Sequence, residues 1–192
     1  MMRSWIAVFG LVALAGCAST AIKTYTLSPK SYKRVSFSKF QNSVVRVDYP
    51  KGVEDTMGTK IYYQDGSLEE SFYLYSQWSK SLNRIIMGAV VDILQQSNLF
   101  KRVVDYSSTA DVDYILESSI REFEHKLEGN SSFASIIIEA RLLDSTNHKI
   151  VKSKLFHYKE PCTTTDARGF VEASNRALER FGRDLVLFLE RG

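Results

Sequence analysis

The chain has 192 residues, of which 44% are hydrophobic and 24% are charged, and its formal net charge at pH 7 is +3. This length suits one domain with a full hydrophobic core, and so small a charge does not indicate a surface for nucleic acid. With only two cysteines, a framework of several disulfides is excluded.

The N-terminal residues have the order of a secretory signal. Arg3 carries a positive charge, residues 5–14 are apolar, and two small residues lead to Cys17. This apolar run is too short to cross a bilayer, which needs about 20 residues. The stretch LAGC resembles the bacterial lipobox, which implies that residues 1–16 are removed and that the Cys17 thiol carries a covalent lipid. A membrane anchor helix or a buried strand is the alternative interpretation.

The residue after the lipobox cysteine bears on the destination of the protein. It is Ala18, and the absence of Asp at this place resembles an address for the outer membrane. Several acyl chains on one cysteine would anchor the chain stably, because each buried methylene contributes about 0.8 kcal/mol. We therefore predict a lipidated tether over residues 17–23 and a domain over residues 24–190, anchored at the outer membrane and facing the periplasm.

Short alternating segments after the tether predict strands. Residues 23–29 form the first, residues 43–50 the second, and residues 59–64 the third, which ends at an Asp-Gly turn. Residues 68–73 are predicted to pair back on the third strand as the other arm of a hairpin.

An amphipathic helix is predicted next. Apolar residues from Trp78 onwards recur at spacings of three and four, with Ser76 as the N-cap and Asn98 as the left-handed terminal residue. We therefore predict that Trp78 is a core residue, and the alternative is that Trp78 anchors a binding partner. Residues 100–106 are predicted to form the next strand.

Three further strands and a second helix complete the chain. Residues 112–125 alternate, and the next strand places Ala134 to Leu142 on one face. Across the following hairpin, Val151 and Leu155 are predicted to continue that buried face, which would set Glu139 opposite Lys154.

The closing helix is predicted from Asp166 to about Leu189. The order of strands, helix, strands and helix predicts an α+β fold: an antiparallel or mixed β-sheet with two long helices packed on one face, in a single domain.

Four tyrosines form a candidate surface for a partner. Tyr62, Tyr63 and Tyr73 lie on the two arms of the predicted hairpin, and Tyr75 follows the second arm by two residues. Because successive residues of a strand point to opposite faces, only one of each adjacent pair is expected at the surface. Burial in the core is the alternative for the others.

The segment EGNSS holds the only Asn-x-Ser/Thr sequence, at Asn130. It resembles the acidic acceptor sequence of bacterial N-glycosylation, and its predicted place in a hairpin loop is accessible. The other interpretation is a polar turn with Gly129 and Asn130 at its tip.

The remaining polar residues form no recognisable catalytic motif. Since Cys17 is assigned to the lipid, Cys162 is expected to be a free thiol, and a metal site with His157 is the alternative. Asp111, Asp113 and Glu117 suggest either a carboxylate site or a solvated strand face. We therefore predict a protein that is not an enzyme, binds no metal and has no cofactor beyond the lipid on Cys17.

A longer resemblance joins several of these elements. The block FYLYSQWSKSLNRIIMGAVVDILQQSNLFKRVV resembles the ABC-type transport auxiliary lipoprotein family, which comprises PqiC-like lipoproteins. In that family an aromatic-rich segment leads to a Trp, a helix and a Phe-x-x-Val strand. The matching residues here are Tyr73, Trp78, Leu82, Phe100 and Val103.

Two later stretches extend the resemblance over nearly the whole mature chain. DYILESSIREFEH resembles the long strand of the family, and VEASNRALERFGRDLVLFLE resembles its closing helix, with Ala173 and Asn175 in matching places. Ser81 departs from the pattern, because many relatives have Pro there, and this leaves the start of the first helix open.

The resemblance implies an accessory lipoprotein of an intermembrane lipid-transport system. Its partner would be the MCE-domain (mammalian cell entry) protein of an ABC-type transporter, and it could form a homo-oligomer. No nucleotide-binding motif occurs in this sequence, so a partner would supply the energy. The alternative is a structural or assembly lipoprotein of another envelope machine, such as one for secretion or the cell wall.

Overall fold

The computed structural model describes residues 21–30, 34, 39–52, 58–66 and 69–191. Within these ranges, nine strands form one mixed sheet and two helices pack against it, which confirms the α+β prediction. The strands are β1 (Lys23–Tyr25), β2 (Val44–Val47), β3 (Lys51–Gly52), β4 (Lys60–Asp65), β5 (Glu70–Trp78), β6 (Arg102–Asp105), β7 (Tyr114–Glu128), β8 (Ser131–Asp144) and β9 (Ile150–Pro161), and the helices are α1 (Leu82–Ser97) and α2 (Ala167–Glu190).

The long strand β7 organises the sheet. On one side it pairs antiparallel with β8 along its whole length, and β8 pairs in turn with β9. On the other side it pairs in parallel with three short strands in succession, β2, β3 and β4. β6 extends the sheet beyond β2, while β5 and then β1 extend it beyond β4.

Both helices pack on one face of this sheet and share a single hydrophobic core. The inward face of β8, from Ala134 to Leu142, is fully buried at alternate positions, as its alternation predicts. The helices bring their apolar stripes to the same cluster, and Gly182 of α2 lies close enough to α1 for an added Cβ to fall 2.8 Å from Ile93 Cδ1. In the part of the chain described here, no helix has the length and apolarity to cross a membrane.

The first helix begins later than predicted. α1 starts at Leu82 after the N-cap Ser81, and the predicted N-cap Ser76 lies within β5. Trp78 ends β5, where its N–H donates to the Thr59 carbonyl at 2.7 Å. The prediction that Trp78 is a core residue is confirmed, since it is 2% exposed. A strand end and a helix start can both turn this indole inward, so periodicity alone did not distinguish them.

A bulge changes the predicted register of β9. Leu142 pairs with Lys152, whereas the next residue, Leu143, pairs with Ile150, so Val151 is one extra residue in β9. Side chains alternate along a strand, and a slip of one residue therefore moves each following side chain to the other face of the sheet.

Two predictions that depended on the unbulged register are wrong. Val151 and Leu155 are 42% and 46% exposed, and Phe156 takes the predicted place of Leu155 in the core. Glu139 consequently lies opposite Leu155, and Lys154 lies opposite a buried alanine of β8.

The segment after β1 is held on α2. The Ser28 N–H donates to Asn175 Oδ1 at 2.7 Å, and the Lys30 N–H donates to Glu179 Oε1 at 3.2 Å. Leu27, which lies in the chain between β1 and Ser28, is buried. These contacts, together with the pairing of β1 and β5, fix the place where the N-terminal segment joins the domain.

Candidate interaction surface

The β4–β5 hairpin carries the four tyrosines as two separate ring pairs. Tyr62 packs on Phe72 with ring centroids 6.1 Å apart, and Tyr63 packs on Tyr73 with centroids 4.8 Å apart. Because Tyr62 and Tyr63 are consecutive in β4, the two pairs lie on opposite faces of the hairpin.

The Tyr63–Tyr73 pair faces the interior. The Tyr73 hydroxyl and His125 Nδ1 share a hydrogen bond of 2.8 Å, and the His125 ring stacks on Phe170 of α2 at 5.1 Å. His125 is fully buried. Burial raises the pKa of Tyr73, and burial lowers the pKa of His125 to about 4, although the nearby Asp166 carboxylate opposes this second effect. Both side chains are therefore neutral at pH 7 and support the hairpin from inside.

The Tyr62–Phe72 pair forms the outer face of the hairpin. Phe72 is 38% exposed, and the Lys60 ammonium lies 4.0 Å from the centre of its ring. An ammonium above an aromatic face is an electrostatic attraction that also covers part of the ring. This pair offers an aromatic surface with a positive charge beside it.

A wide irregularity in β5 exposes two further apolar side chains. Lys60 pairs with Gln77 and Tyr62 pairs with Phe72, so two steps along β4 oppose five steps along β5. Leu74 and Tyr75 lie in this bulge and are 70% and 55% exposed. Bulges redirect side chains away from the regular alternation of a sheet. Tyr75 is thus the most exposed of the four tyrosines, and Leu74 was missed because alternation alone does not reveal a bulge.

Cys162 is a free cysteine, as predicted, and lies half-buried at the end of β9. Its N–H donates to the Ser132 carbonyl at 2.9 Å. Burial raises the pKa of the thiol, so at pH 7 it is protonated and a poor nucleophile. His157 is exposed on β9, and no cluster of three or more metal-ligating side chains occurs among the residues described.

Two of the three acidic residues near the start of β7, Asp113 and Glu117, have structural partners. Asp113 Oδ2 accepts a hydrogen bond of 2.7 Å from the Val44 N–H, and Glu117 lies 3.4 Å from Arg141 on the neighbouring strand. These contacts fix the β2–β7 and β7–β8 junctions. They favour the interpretation of this acidic set as a strand face and its flanking loop.

Asn130 is exposed in the two-residue turn between β7 and β8. Gly129 precedes it with φ of 59°, which glycine adopts without strain at the first position of such a turn. The predicted turn is confirmed, while glycosylation of Asn130 stays a prediction. Cys17 lies outside the described residues, and its lipidation likewise stays a prediction.

Comparisons with known proteins give a family and a fold. The family model described as "ABC-type transport auxiliary lipoprotein component" matches residues 25–186. No curated protein sequence matches the chain.

Several solved structures resemble this one. Protein XCC0632 from Xanthomonas campestris superposes with a TM-score of 0.77 at 21% identity, over 85% of this chain and 92% of that chain. An uncharacterized protein gives a TM-score of 0.67 at 14% identity, over 87% of this chain and 97% of its own. PelC from Paraburkholderia phytofirmans, which is a dodecamer, gives a TM-score of 0.52 at 10% identity, over 85% of this chain and 97% of its own. At these identities the likeness shows the fold alone.

Proposed function

Because the chain belongs to the ABC-type transport auxiliary lipoprotein family, we propose that it is the accessory lipoprotein of an intermembrane lipid-transport system and binds the MCE-domain protein of that system. The observation that carries this proposal is the family match, which spans nearly the whole described domain. The proposed role is to hold a partner at a membrane, and it needs no catalytic site in this chain.

Lipidation of Cys17 is the second part of the proposal. The lipobox LAGC and the membership of a lipoprotein family support it. Two or more acyl chains give stable anchoring, whereas one chain binds a membrane only marginally. With Ala18 after the cysteine, we propose the outer membrane as the site of the anchor and the periplasm as the compartment of the domain.

We propose the outer face of the β4–β5 hairpin as the contact with the MCE-domain protein. Tyr62 and Phe72 are packed on each other there, next to the Lys60 ammonium. Aromatic side chains held in place by neighbours are typical energetic centres of protein interfaces, because they bury a large area without losing much conformational freedom. Trp78 is too deeply buried to serve this purpose.

The proposal is tested by crosslinking in intact cells, followed by purification of the protein in detergent and identification of what is attached. Recovery of an MCE-domain protein is expected. The double substitution Tyr62→Ala and Phe72→Ala should weaken binding of that protein by roughly 30-fold, as loss of about 2 kcal/mol at an interface centre implies. The matched control is Leu155→Ala, which truncates an exposed apolar side chain on β9 and should leave binding unchanged.

Two outcomes would count against this assignment. Recovery of only cell-wall or secretion components would favour the alternative, an assembly lipoprotein of another envelope machine. Equal binding by the double variant and the wild type would remove the partner contact from this face. Tyr73→Ala is unsuitable as a test, since it would leave His125 Nδ1 without the hydroxyl that it contacts.

A homo-oligomer is also part of the proposal. The fold supports it in one respect: PelC, whose fold is similar, is a dodecamer. Light scattering on the detergent-purified protein measures its mass directly, and a monomer at micromolar concentration would argue against this part without affecting the partner assignment.

A further inference from the structure

Three exposed apolar residues lie close to one another in the β1–β5 register, where the N-terminal segment joins the domain. Ile22, just before β1, is 56% exposed, and Leu74 and Tyr75 of the β5 bulge are 70% and 55% exposed. β1 runs parallel to β5 with Lys23 beside Ser76, so the chain preceding Lys23 runs alongside Tyr75 and then Leu74. We call Ile22, Leu74 and Tyr75 the bulge patch.

The bulge patch is not required by the packing of the domain. Tyr73 and Trp78 are the residues of β5 that pack against the core, whereas Leu74 and Tyr75 lie in the bulge, outside the regular pairing of β4 with β5. Exposed apolar side chains that are grouped in one place mark surfaces that contact another molecule or a membrane.

The length of the tether identifies what lies near this patch. Ile22 is the fifth residue after Cys17, so five Cα–Cα steps join the two. Fully extended, they span at most about 18 Å, since each residue adds no more than about 3.6 Å. The position of Ile22 relative to the domain is fixed, because β1 is paired with β5 and the following segment is hydrogen-bonded to Asn175 of α2. A lipid on Cys17 would therefore hold the bulge patch within this distance of the bilayer.

We propose that the bulge patch rests on the surface of the bilayer in which the Cys17 lipid is inserted. This inference depends on the lipidation proposed above. Tyr75 suits the membrane interface because its ring is apolar and its hydroxyl reaches water, and Leu74 and Ile22 suit the boundary of the acyl chains. Tyr75 was predicted as one of four tyrosines that contact a partner, and we now assign it to the contact with the bilayer. Tyr62 remains assigned to the contact with the partner protein.

The charges beside the patch do not select strongly for anionic lipid. Lys23 follows Ile22 directly, and Arg168 of α2, which lines the same surface depression as Lys23, is paired with Glu172 at 3.0 Å. Contact should therefore depend mainly on the apolar side chains and occur on neutral as well as anionic bilayers.

The contact sets the orientation of the domain. Counted along the sheet through β5, β4, β7 and β8, β9 is five strand spacings from β1, or about 24 Å at about 4.8 Å each. With the β1 edge of the sheet at the bilayer, the exposed apolar residues of β9 should consequently lie away from it. Leu155, 46% exposed, is therefore a matched reference for Tyr75.

Depth-dependent fluorescence quenching tests the proposal. The mature lipoprotein carrying Tyr75→Trp is placed in vesicles of phosphatidylethanolamine and phosphatidylglycerol that contain phosphatidylcholine brominated on its acyl chains. The introduced indole should be strongly quenched and blue-shifted. Leu155→Trp should be quenched no more than the wild type, whose Trp78 is buried. If Tyr75→Trp does not fold, Leu74→Trp reports on the same patch.

Flotation of the same samples separates this inference from the lipid anchor. Protein that floats with the vesicles but shows no extra quenching for Tyr75→Trp, or equal quenching for Leu155→Trp, would overturn the bilayer contact and leave the anchor standing. Protein that does not float would overturn both. A photocrosslinker at position 75 that captures the MCE-domain protein in cells would also overturn the contact, since it would return Tyr75 to the partner.

Discussion

Acidification should destabilise this protein through one buried side chain, His125. Its ring lies between Tyr73 and Phe170, and no group in the described part of the chain hydrogen-bonds to its Nε2. A proton added there would place a charge in a fully buried site, where the attraction of the Asp166 carboxylate opposes the effect of burial. The folded state therefore favours the neutral ring.

The magnitude follows from the two pKa values. Burial lowers the pKa of His125 from 6.5 to about 4 in the folded protein, while the unfolded chain takes up the proton near 6.5. This difference corresponds to about 3 kcal/mol. Because the folded pKa of a base is lowered, the stability is fully present above pH 6.5 and is lost as the pH falls from 6.5 to about 4. A loss of this size is a large part of the 5–15 kcal/mol, roughly, that stabilises a typical domain.

Urea unfolding between pH 7.5 and 4.5, followed by the emission of buried Trp78, measures this effect. The informative variant combines His125→Phe with Tyr73→Phe, which removes the titrating ring together with the hydroxyl that would lose its partner. Its free energy of unfolding should change much less with pH than that of the wild type. His157→Gln, which alters an exposed histidine, should retain the acid sensitivity. Equal acid sensitivity in the double variant and the wild type would refute the assignment to His125.

Further predictions concern the two cysteines and two glycines. Cys17→Ala should abolish labelling by a fatty-acid analogue, and labelling equal to the wild type would rule out the lipid site. Cys162 should be alkylated completely in denaturant without reductant but slowly in the native protein at pH 7, because burial raises the pKa of its thiol; a dimer that reductant dissolves would contradict this. Gly169→Ala would place a Cβ 2.2 Å from the Thr164 carbonyl oxygen and should cost about 3 kcal/mol in urea unfolding. The control is Gly88→Ala in the helix α1, where the added Cβ would have no atom within 4 Å and should raise the free energy of unfolding by roughly 0.5–1 kcal/mol. A Gly169→Ala variant as stable as that control would show that the backbone around Thr164 moves aside without cost.

The sequence by itself determined the features that depend on local periodicity and on single turn residues. The alternation in β8 and the helical stripe of α2 are long enough to identify each element and its buried face. Asn98 ends α1 in the left-handed conformation, and Gly129 begins the tight turn between β7 and β8, because few other residues adopt a positive φ without strain. The family was also recognised from the sequence, and the match to the family model confirms it.

The tertiary structure decided the features that depend on how segments pair. The bulge at Val151 reverses the faces of β9, and the wider bulge in β5 exposes Leu74. Neither bulge can be recognised from the alternation of apolar and polar residues in its strand. The contact of Tyr73 with His125 joins residues far apart in sequence. Pairing registers are set by the sum of contacts along two strands, and one inserted residue changes them all. Which tyrosines face the core, and which are exposed at the surface, was therefore fixed only when the strands came together.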